Sequence, residues 1–378
     1  MIKRAIVSGG GTGGHIFPAI AIADEIKRRN PEAEILFVGA TGKMEMEKVP
    51  AAGYKIEGLE IVGLKRKLAL SNFALPFKIV RSVMKARKIV KEFNPDIVVG
   101  VGGFASGPTL KAASMLKYPT ALQEQNAFAG KTNKLLAKKA KVICVAYEGL
   151  ESVFPKEVIV MTGNPTRKNM VDIKGKEAEA HKFYGFDPNK KTILIIGGSL
   201  GARTLNESVV EHLEELQKSD VQVLWQCGKL YFNTLKQQLS GSSSGVEMGA
   251  EGELNLNNIK MVQFITRMDL AYAMADVVIS RAGASSVSEL CIVEKPCILV
   301  PSPNVAEDHQ TKNAMALVNK NAAILVKDAE AKEKLIPEAL ALIQDDVKCA
   351  ELKKNIAPLA KPEATASIVD ELEKVARK

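Results

Sequence analysis

Ala5-Ile6-Val7-Ser8-Gly9-Gly10-Gly11-Thr12-Gly13-Gly14-His15 is the stretch whose reading decides the fold. A short apolar run enters five glycines, and a helix-length amphipathic segment, 16–29, follows at once. Strand, glycine turn, helix is the opening of a βαβ unit. The turn satisfies G-x-G-x-x-G at 9–14, and its chemistry is that of an anion site. Glycines let the backbone come close, and a helix N-terminus offers unpaired N–H groups and a positive dipole end. A dinucleotide would also need an acid about 20 residues on, at the end of the second strand. That strand ends Phe37-Val38-Gly39-Ala40-Thr41, without a carboxylate, which disfavours NAD. A tight turn with no ligand is the plainer alternative.

Outward from this turn, short β-branched runs alternate with amphipathic stretches along the whole chain, the pattern of parallel α/β sheets. Strands are expected at 5–8, 35–38, 97–101, 120–123, 142–145 and 158–161. A second series is expected at 192–196, 221–226, 259–262, 277–280, 297–300 and 323–326. Each series opens with a strand running into glycines, so two doubly wound domains in tandem are expected. The series breaks after Gly163-Asn164-Pro165. Segment 172–191 reads as a linker or excursion, 240–258 as a mobile low-complexity loop, and the tail from Pro362 as a capped amphipathic helix.

The chain has 378 residues, 46% hydrophobic and 25% charged, which excludes disorder, collagen and coiled coil. No apolar run approaches the roughly 18 residues that cross a bilayer, and the opening residues do not read as a signal peptide. Five cysteines without a C-x-x-C pair argue for a reducing compartment, against disulfides and against a zinc site. A cytoplasmic protein is expected. Residues 1–165 hold 25 Lys and Arg against 14 Asp and Glu, whereas the remainder holds 27 against 29. The net charge of +9 therefore belongs to the first half, which should meet something anionic.

Gly197-Gly198-Ser199-Leu200-Gly201-Ala202-Arg203 repeats the glycine turn after the strand at 192–196. In open α/β sheets ligands sit at the carboxyl ends of the strands. A third turn, Ser280-Arg281-Ala282-Gly283-Ala284-Ser285-Ser286, leads into a helix at 287–293 carrying Glu289. That acid reads either as a helix-capping partner or as a ligand group. Glu307-Asp308-His309-Gln310-Thr311-Lys312-Asn313 crowds polar groups where a strand should end. Gly130-Lys131-Thr132 mimics a Walker A ending, but Gln125 stands where the first glycine belongs. An Asp-x-Asp metal chelate and a spaced His or Cys cluster are both missing.

Seven motifs in order carry a resemblance. They are Gly9 to His15, Gly102-Gly103-Phe104-Ala105-Ser106-Gly107-Pro108, Glu124-Gln125-Asn126, Thr162-Gly163-Asn164-Pro165, Gly197 to Arg203, Ser280 to Ala284 and Glu307 to Gln310. Together the chain resembles the lipid II-forming peptidoglycan glycosyltransferases of MurG type, the undecaprenyl-diphospho-muramoylpentapeptide β-N-acetylglucosaminyltransferases. Segments 240–258 and 172–191 have no match in that pattern.

The resemblance implies a glycosyltransferase B fold, two Rossmann-like doubly wound α/β domains facing a deep cleft. Residues 1–165 would form the acceptor and membrane-associated domain and 166–357 the UDP-sugar domain, with a helix at about 358–378 packing back on the first. It implies transfer of N-acetylglucosamine from UDP-N-acetylglucosamine to the C4 hydroxyl of the undecaprenyl-pyrophosphoryl-muramoyl-pentapeptide lipid I. The product is lipid II, formed with inversion and without metal or cofactor. A peripheral protein on the cytoplasmic face of the inner membrane would do this, and nucleic acid would not be a partner. Ser199 with its loop, and Arg167, would hold the pyrophosphate. Backbone groups at Phe264 and Ile265 would meet the uracil and Glu289 the ribose hydroxyls. Asn126, Ala284, Gln310 and Asn313 would face the sugar, with Arg281 a further donor contact. Thr12, Gly13 and Gly14 would line the acceptor side, with His15 the candidate base. His15 reads equally well as a loop-orienting histidine at the helix start. The family often has two adjacent glutamines where this chain has His309-Gln310.

Residues 61–91 hold nine basic side chains and no acid. Leu68, Leu70, Phe73, Leu75, Phe77, Ile79 and Val80 are interleaved with them. An amphipathic helix with a solvated charged face is the plain reading. The absence of any anion favours a surface for anionic lipid, built on Lys65, Arg66, Lys67, Phe73, Phe77 and Arg81. Two other functions fit parts of the pattern. A UDP-N-acetylglucosamine 2-epimerase would use the same scaffold without an acceptor. A basic nucleic-acid or lipid-surface binding module would leave the second domain's turns without a role.

Overall fold

Seven short runs become strands in the first unit: β1 (Arg4–Gly9), β2 (Glu34–Ala40), β3 (Lys55–Leu59), β4 (Ile97–Gly102), β5 (Thr120–Glu124), β6 (Val142–Val145) and β7 (Ile159–Met161). The computed structural model describes residues 1–61, 75–166, 168–240, 246–248 and 253–377. They fall into two compact units, Met1–Thr166 with Lys361–Lys378, and Arg167–Ala360. The first sheet is parallel throughout, in the order β3-β2-β1-β4-β5-β6-β7. β4 is buried along its whole length, the reason its sequence is a continuous apolar run.

Helices cover both faces of this sheet. On one side Ile16, Ala19 and Ala23 of the helix Gly13–Arg29 meet Ile368, Val369 and Leu372 of the C-terminal helix Ala364–Val375. On the other, Ala86 and Val90 of the helix Leu75–Phe93 pack with Leu110 and Ala113 of the helix Ser106–Met115. Arg29 fastens the C-terminal helix, donating to Asp370 Oδ1 at 2.7 Å and to the Ala366 carbonyl at 2.9 Å. It also donates to Glu25, whose carboxyl the Arg28 and Arg29 guanidiniums hold down at about 2 against the opposing effect of burial.

The second unit carries eight strands: β8 (Thr192–Ile196), β9 (Gln222–Gln226), β10 (Val246–Met248), β11 (Leu254–Leu256), β12 (Ile259–Val262), β13 (Val277–Ser280), β14 (Cys297–Leu299) and β15 (Ile324–Leu325). Their order is β10-β11-β12-β9-β8-β13-β14-β15. β10 and β11 extend the sheet antiparallel, and the other strands run parallel. In each sheet the chain leaves its first strand to one side and returns on the other. The crevices therefore open at the ends of β1 and β4, and of β8 and β13.

Several elements differ from expectation. β3 is an additional edge strand whose sequence, Lys55-Ile56-Glu57-Gly58-Leu59, is too polar to register as one. Parts of the expected loop 240–258 are β10 and β11, and in β11 Leu254 and Leu256 are buried around Asn255. The expected linker 172–191 contains the helix Glu177–Tyr184, with Ala180 and Tyr184 buried and the Tyr184 hydroxyl donating to the Arg267 carbonyl at 3.1 Å.

Candidate active site

In the first unit, the site is built at the switch point between β1 and β4. The helix Gly13–Arg29 begins directly after Thr12, whose carbonyl accepts the His15 and Ile16 amides. His15 is half-buried in the first turn. Its Nδ1 lies 3.2 Å from the Gly10 carbonyl and 3.3 Å from Thr12 Oγ1. A carbonyl can only accept, so the Gly10 bond requires the proton on Nδ1 and leaves the lone pair of the neutral ring on Nε2. The ring lies against the end of β4. A Cβ on Gly102, at φ 100°, would stand 2.7 Å from His15 Cδ2 and 2.8 Å from Nε2. Ser106 Oγ donates to the Ser8 carbonyl at 2.6 Å and the Gly102 carbonyl at 2.9 Å, tying the two turns together. Thr12 and Gly14 are exposed and Gly13 is half-exposed.

Asn126 follows β5 and is held by Glu124, a residue of the same motif to which the sequence assigned no role of its own. Glu124, 2% exposed, accepts the Asn126 amide at 3.2 Å and its side-chain Nδ2 at 3.3 Å. The other oxygen of Glu124 accepts the Gly130 amide and Asn133 Nδ2, both at 2.9 Å. Asn164 donates to the Gln125 carbonyl at 2.9 Å, so the Glu124-Gln125-Asn126 and Thr162-Gly163-Asn164-Pro165 motifs form one buried polar network. Its signal in the sequence was the density of amide side chains at a strand end.

The second unit repeats the design. Gly198 and Gly201 take φ 81° and 92°, carrying exposed Ser199 to the start of the helix Arg203–Glu211. A Cβ on Gly228 would stand inside Gly201, so these two turns touch through their backbones. After β13, Gly283 precedes the helix Ala284–Val293. This helix starts earlier than expected, which puts Glu289 in its second turn, beyond the reach of first-turn capping. Glu289 is half-buried, and the hydroxyl of buried Tyr272 donates to its Oε2 at 3.1 Å. Burial and the Glu289 charge push the Tyr272 phenol well above its ordinary range.

Gln310 and Asn313 lie on the helix His309–Val318, which is entered through Glu307 and Asp308 at φ 56° and 51°. Left-handed backbone costs an L residue about 1–2 kcal/mol at each position. Gln310 Oε1 accepts the Ser302 amide at 2.8 Å. Asn313 is fully buried and donates to the Ala282 carbonyl at 3.2 Å, bracing the turn that presents Ala284. His309 is half-buried. Arg281 sends its guanidinium to the Val300 carbonyl at 3.1 Å and to Asp328. Ile265 is 3% exposed, whereas Phe264 beside it is 56% exposed.

Arg167, Lys65, Arg66, Lys67 and Phe73 lie outside the described residues, as does the side chain of Phe77. On the helix Leu75–Phe93, Ser82, Ala86, Ile89 and Val90 are buried while Ile79, Val80 and Met84 are exposed. Lys78, Arg81, Lys85, Arg87 and Lys88 are exposed around them. Among the described residues no helix is long and apolar enough to cross a membrane, and no three His, Cys, Asp or Glu gather as a metal site.

Profiles of two domains match this chain: the glycosyltransferase family 28 N-terminal domain over residues 5–145 and the glycosyltransferase family 28 C-terminal domain over residues 192–371. The chain belongs to glycosyltransferase family 28. A family 28 relative from Cytophaga hutchinsonii is 55% identical over 98% of this chain and 96% of its own. One from Bacteroides fragilis is 54% identical over 99% and 96%. Both are named UDP-N-acetylglucosamine–N-acetylmuramyl-(pentapeptide) pyrophosphoryl-undecaprenol N-acetylglucosamine transferase. Among solved structures, Acinetobacter baumannii MurG matches with a TM-score of 0.78 at 30% identity, covering 98% of this chain and 99% of that one. The architecture is the glycosyltransferase B fold of family 28, with two Rossmann-like domains.

Proposed function

We infer that this family 28 chain is the N-acetylglucosaminyltransferase that converts lipid I to lipid II in peptidoglycan synthesis. The donor is UDP-N-acetylglucosamine, and the acceptor is the C4 hydroxyl of an undecaprenyl-pyrophosphoryl-muramoyl-pentapeptide. The observation that carries the reading is identity above half, over nearly the full chain, to proteins named for that reaction. The glycine turns at the carboxyl ends of both sheets support it.

His15 serves as the base. Its Nε2 takes the proton of the acceptor hydroxyl while the hydroxyl oxygen attacks the anomeric carbon. The bond from that carbon to the diphosphate breaks, UDP departs with the electron pair, and the configuration inverts. The Ser199 turn at the start of the helix Arg203–Glu211 offsets the charge growing on the diphosphate, together with Arg167. Glu289 accepts from the ribose hydroxyls, and the backbone at Phe264 and Ile265 meets the uracil. Ala284, Gln310, Asn313 and Asn126 border the sugar, with Arg281 bracing the Ala284 turn. Thr12, Gly13 and Gly14 border the acceptor.

Exposed Ile79, Val80 and Met84 among five exposed cations form part of a surface that rests on anionic lipid, with Lys65, Arg66, Lys67, Phe73 and Phe77. The protein works as a peripheral enzyme on the cytoplasmic face of the inner membrane. The test is the linkage in the product made from UDP-N-acetylglucosamine and a synthetic lipid I. A β-1,4 disaccharide by NMR supports the reading. An α linkage, or a sugar joined elsewhere, refutes it.

A further inference from the structure

Glu45 opens the helix Glu45–Ala51 and is 1% exposed, unlike exposed Glu47 on the same helix. Its carboxylate ends beside the first glycine turn. Oε2 accepts the Gly11 amide at 2.8 Å and Oε1 accepts the Ala40 amide at 3.0 Å. Two neighbouring glycines exist to admit it. A Cβ on Gly10 would fall inside the carboxylate, and one on Gly39 would stand 2.6 Å from Glu45 Cγ. Neither Gly10 nor Gly39 is among the positive-φ glycines, so space rather than backbone freedom accounts for them.

The Gly11 amide and the Gly10 carbonyl belong to one planar peptide unit. Glu45 therefore holds one end of a group whose other end, the Gly10 oxygen, meets His15 Nδ1 at 3.2 Å. A negative acceptor on the N–H polarises the amide and makes its oxygen a better acceptor. Glu45 also forbids the alternative. Gly11 sits at φ 86°, and glycines on both sides of this peptide leave its backbone torsions intrinsically permissive. Turned over, the peptide would aim a carbonyl at the Glu45 carboxylate and an N–H at the imidazole. The first contact is repulsive, and the second would move the proton to Nε2.

We propose that Glu45 is a positioning residue that fixes His15 in the Nδ1–H form through the Gly10–Gly11 peptide. In that form the ring's lone pair is on Nε2, the atom that takes the acceptor proton. The consequence for turnover rests on His15 being the base, whereas the consequence for the tautomer does not.

The experiment uses the full chain with 15N-labelled histidine, read by imidazole NMR above pH 8. The His15 signals are identified by their loss in His15→Gln. In the wild type, His15 should be Nδ1–H. In Glu45→Gln, where one of the two acceptor oxygens becomes an NH2 donor, the signal should move toward Nε2–H. kcat should then fall at least about tenfold, since a histidine base in the wrong tautomer loses far more, with the KM for UDP-N-acetylglucosamine unchanged. A wild-type His15 in the Nε2–H form overturns the proposal without any variant, even if Glu45→Gln fails to fold. So does a folded Glu45→Gln with an unmoved tautomer. If His15→Ala retains turnover, the base reading fails separately, and the tautomer shift still decides the role of Glu45.

Discussion

Replacing Gly102 with alanine probes the base without substituting it. Two costs follow from the structure. At φ 100° an L residue pays about 1–2 kcal/mol of backbone strain. Its Cβ would also stand 2.7 Å from His15 Cδ2 and 2.8 Å from Nε2, far inside ordinary contact. The β4 end is pinned by Ser106, and the His15 backbone is fixed by the Thr12 carbonyl. The imidazole is therefore the part that yields, by rotating off the Gly10 carbonyl. A displacement of about 1 Å at a catalytic group costs on the order of 10²-fold in rate. The expected result is a kcat reduced about 10²-fold in UDP release with a soluble short-chain lipid I analogue. The KM for UDP-N-acetylglucosamine should stay within about twofold, with a melting temperature a few degrees lower. A folded Gly102→Ala enzyme with wild-type kcat would refute the reasoning, as would one that loses donor affinity instead of turnover.

Glu289→Ala should weaken UDP binding by about 1–3 kcal/mol and Tyr272→Phe by about 1 kcal/mol, measured by calorimetry; unchanged affinity in Glu289→Ala would remove it from the donor site. Neutralising Lys78, Arg81 and Lys88 should cost about 1 kcal/mol per charge in binding to anionic vesicles, fading with salt. Ile79→Ser with Val80→Ser should weaken vesicle binding even at high salt, because that contribution is apolar burial; unaltered binding in both sets would leave the helix face merely solvated. The Glu25 clamp sets a pH dependence. Its carboxyl falls from 4.5 to about 2 on folding, so its stabilisation is complete above about 4.5 and is lost as pH drops toward 2. With Arg28 exposed, Glu25→Gln should cost only about 1 kcal/mol at pH 7, and its melting temperature should converge on the wild type near pH 2.

Much of both sheets was legible because buried parallel strands announce themselves as apolar runs. Arg4–Gly9, Ile97–Gly102 and Thr192–Ile196 are of this kind. β3 was not, since an edge strand with Lys55 and Glu57 facing outward shares its composition with loops. β11 was hidden by the Ser, Gly and Asn around it, although Leu254 and Leu256 alternate about Asn255. In the helix Glu177–Tyr184 only Ala180 and Tyr184 are buried, too sparse a face to register as a period. The glycine turns were visible because positive φ and close backbone approach leave few other residues possible. Glu45 was invisible, and the role of Glu124 was hidden within its motif, for the opposite reason. Each is an acid in a polar stretch, and only the fold decides that Glu45 turns inward while Glu47 stays in water.

The most direct test of the central claim is UDP release from UDP-N-acetylglucosamine, measured with and without lipid-linked muramoyl-pentapeptide. Release should require the acceptor and match the lipid II formed mole for mole. Consumption of UDP-N-acetylglucosamine at the same rate without acceptor, or no transfer to the lipid in its presence, would contradict the account.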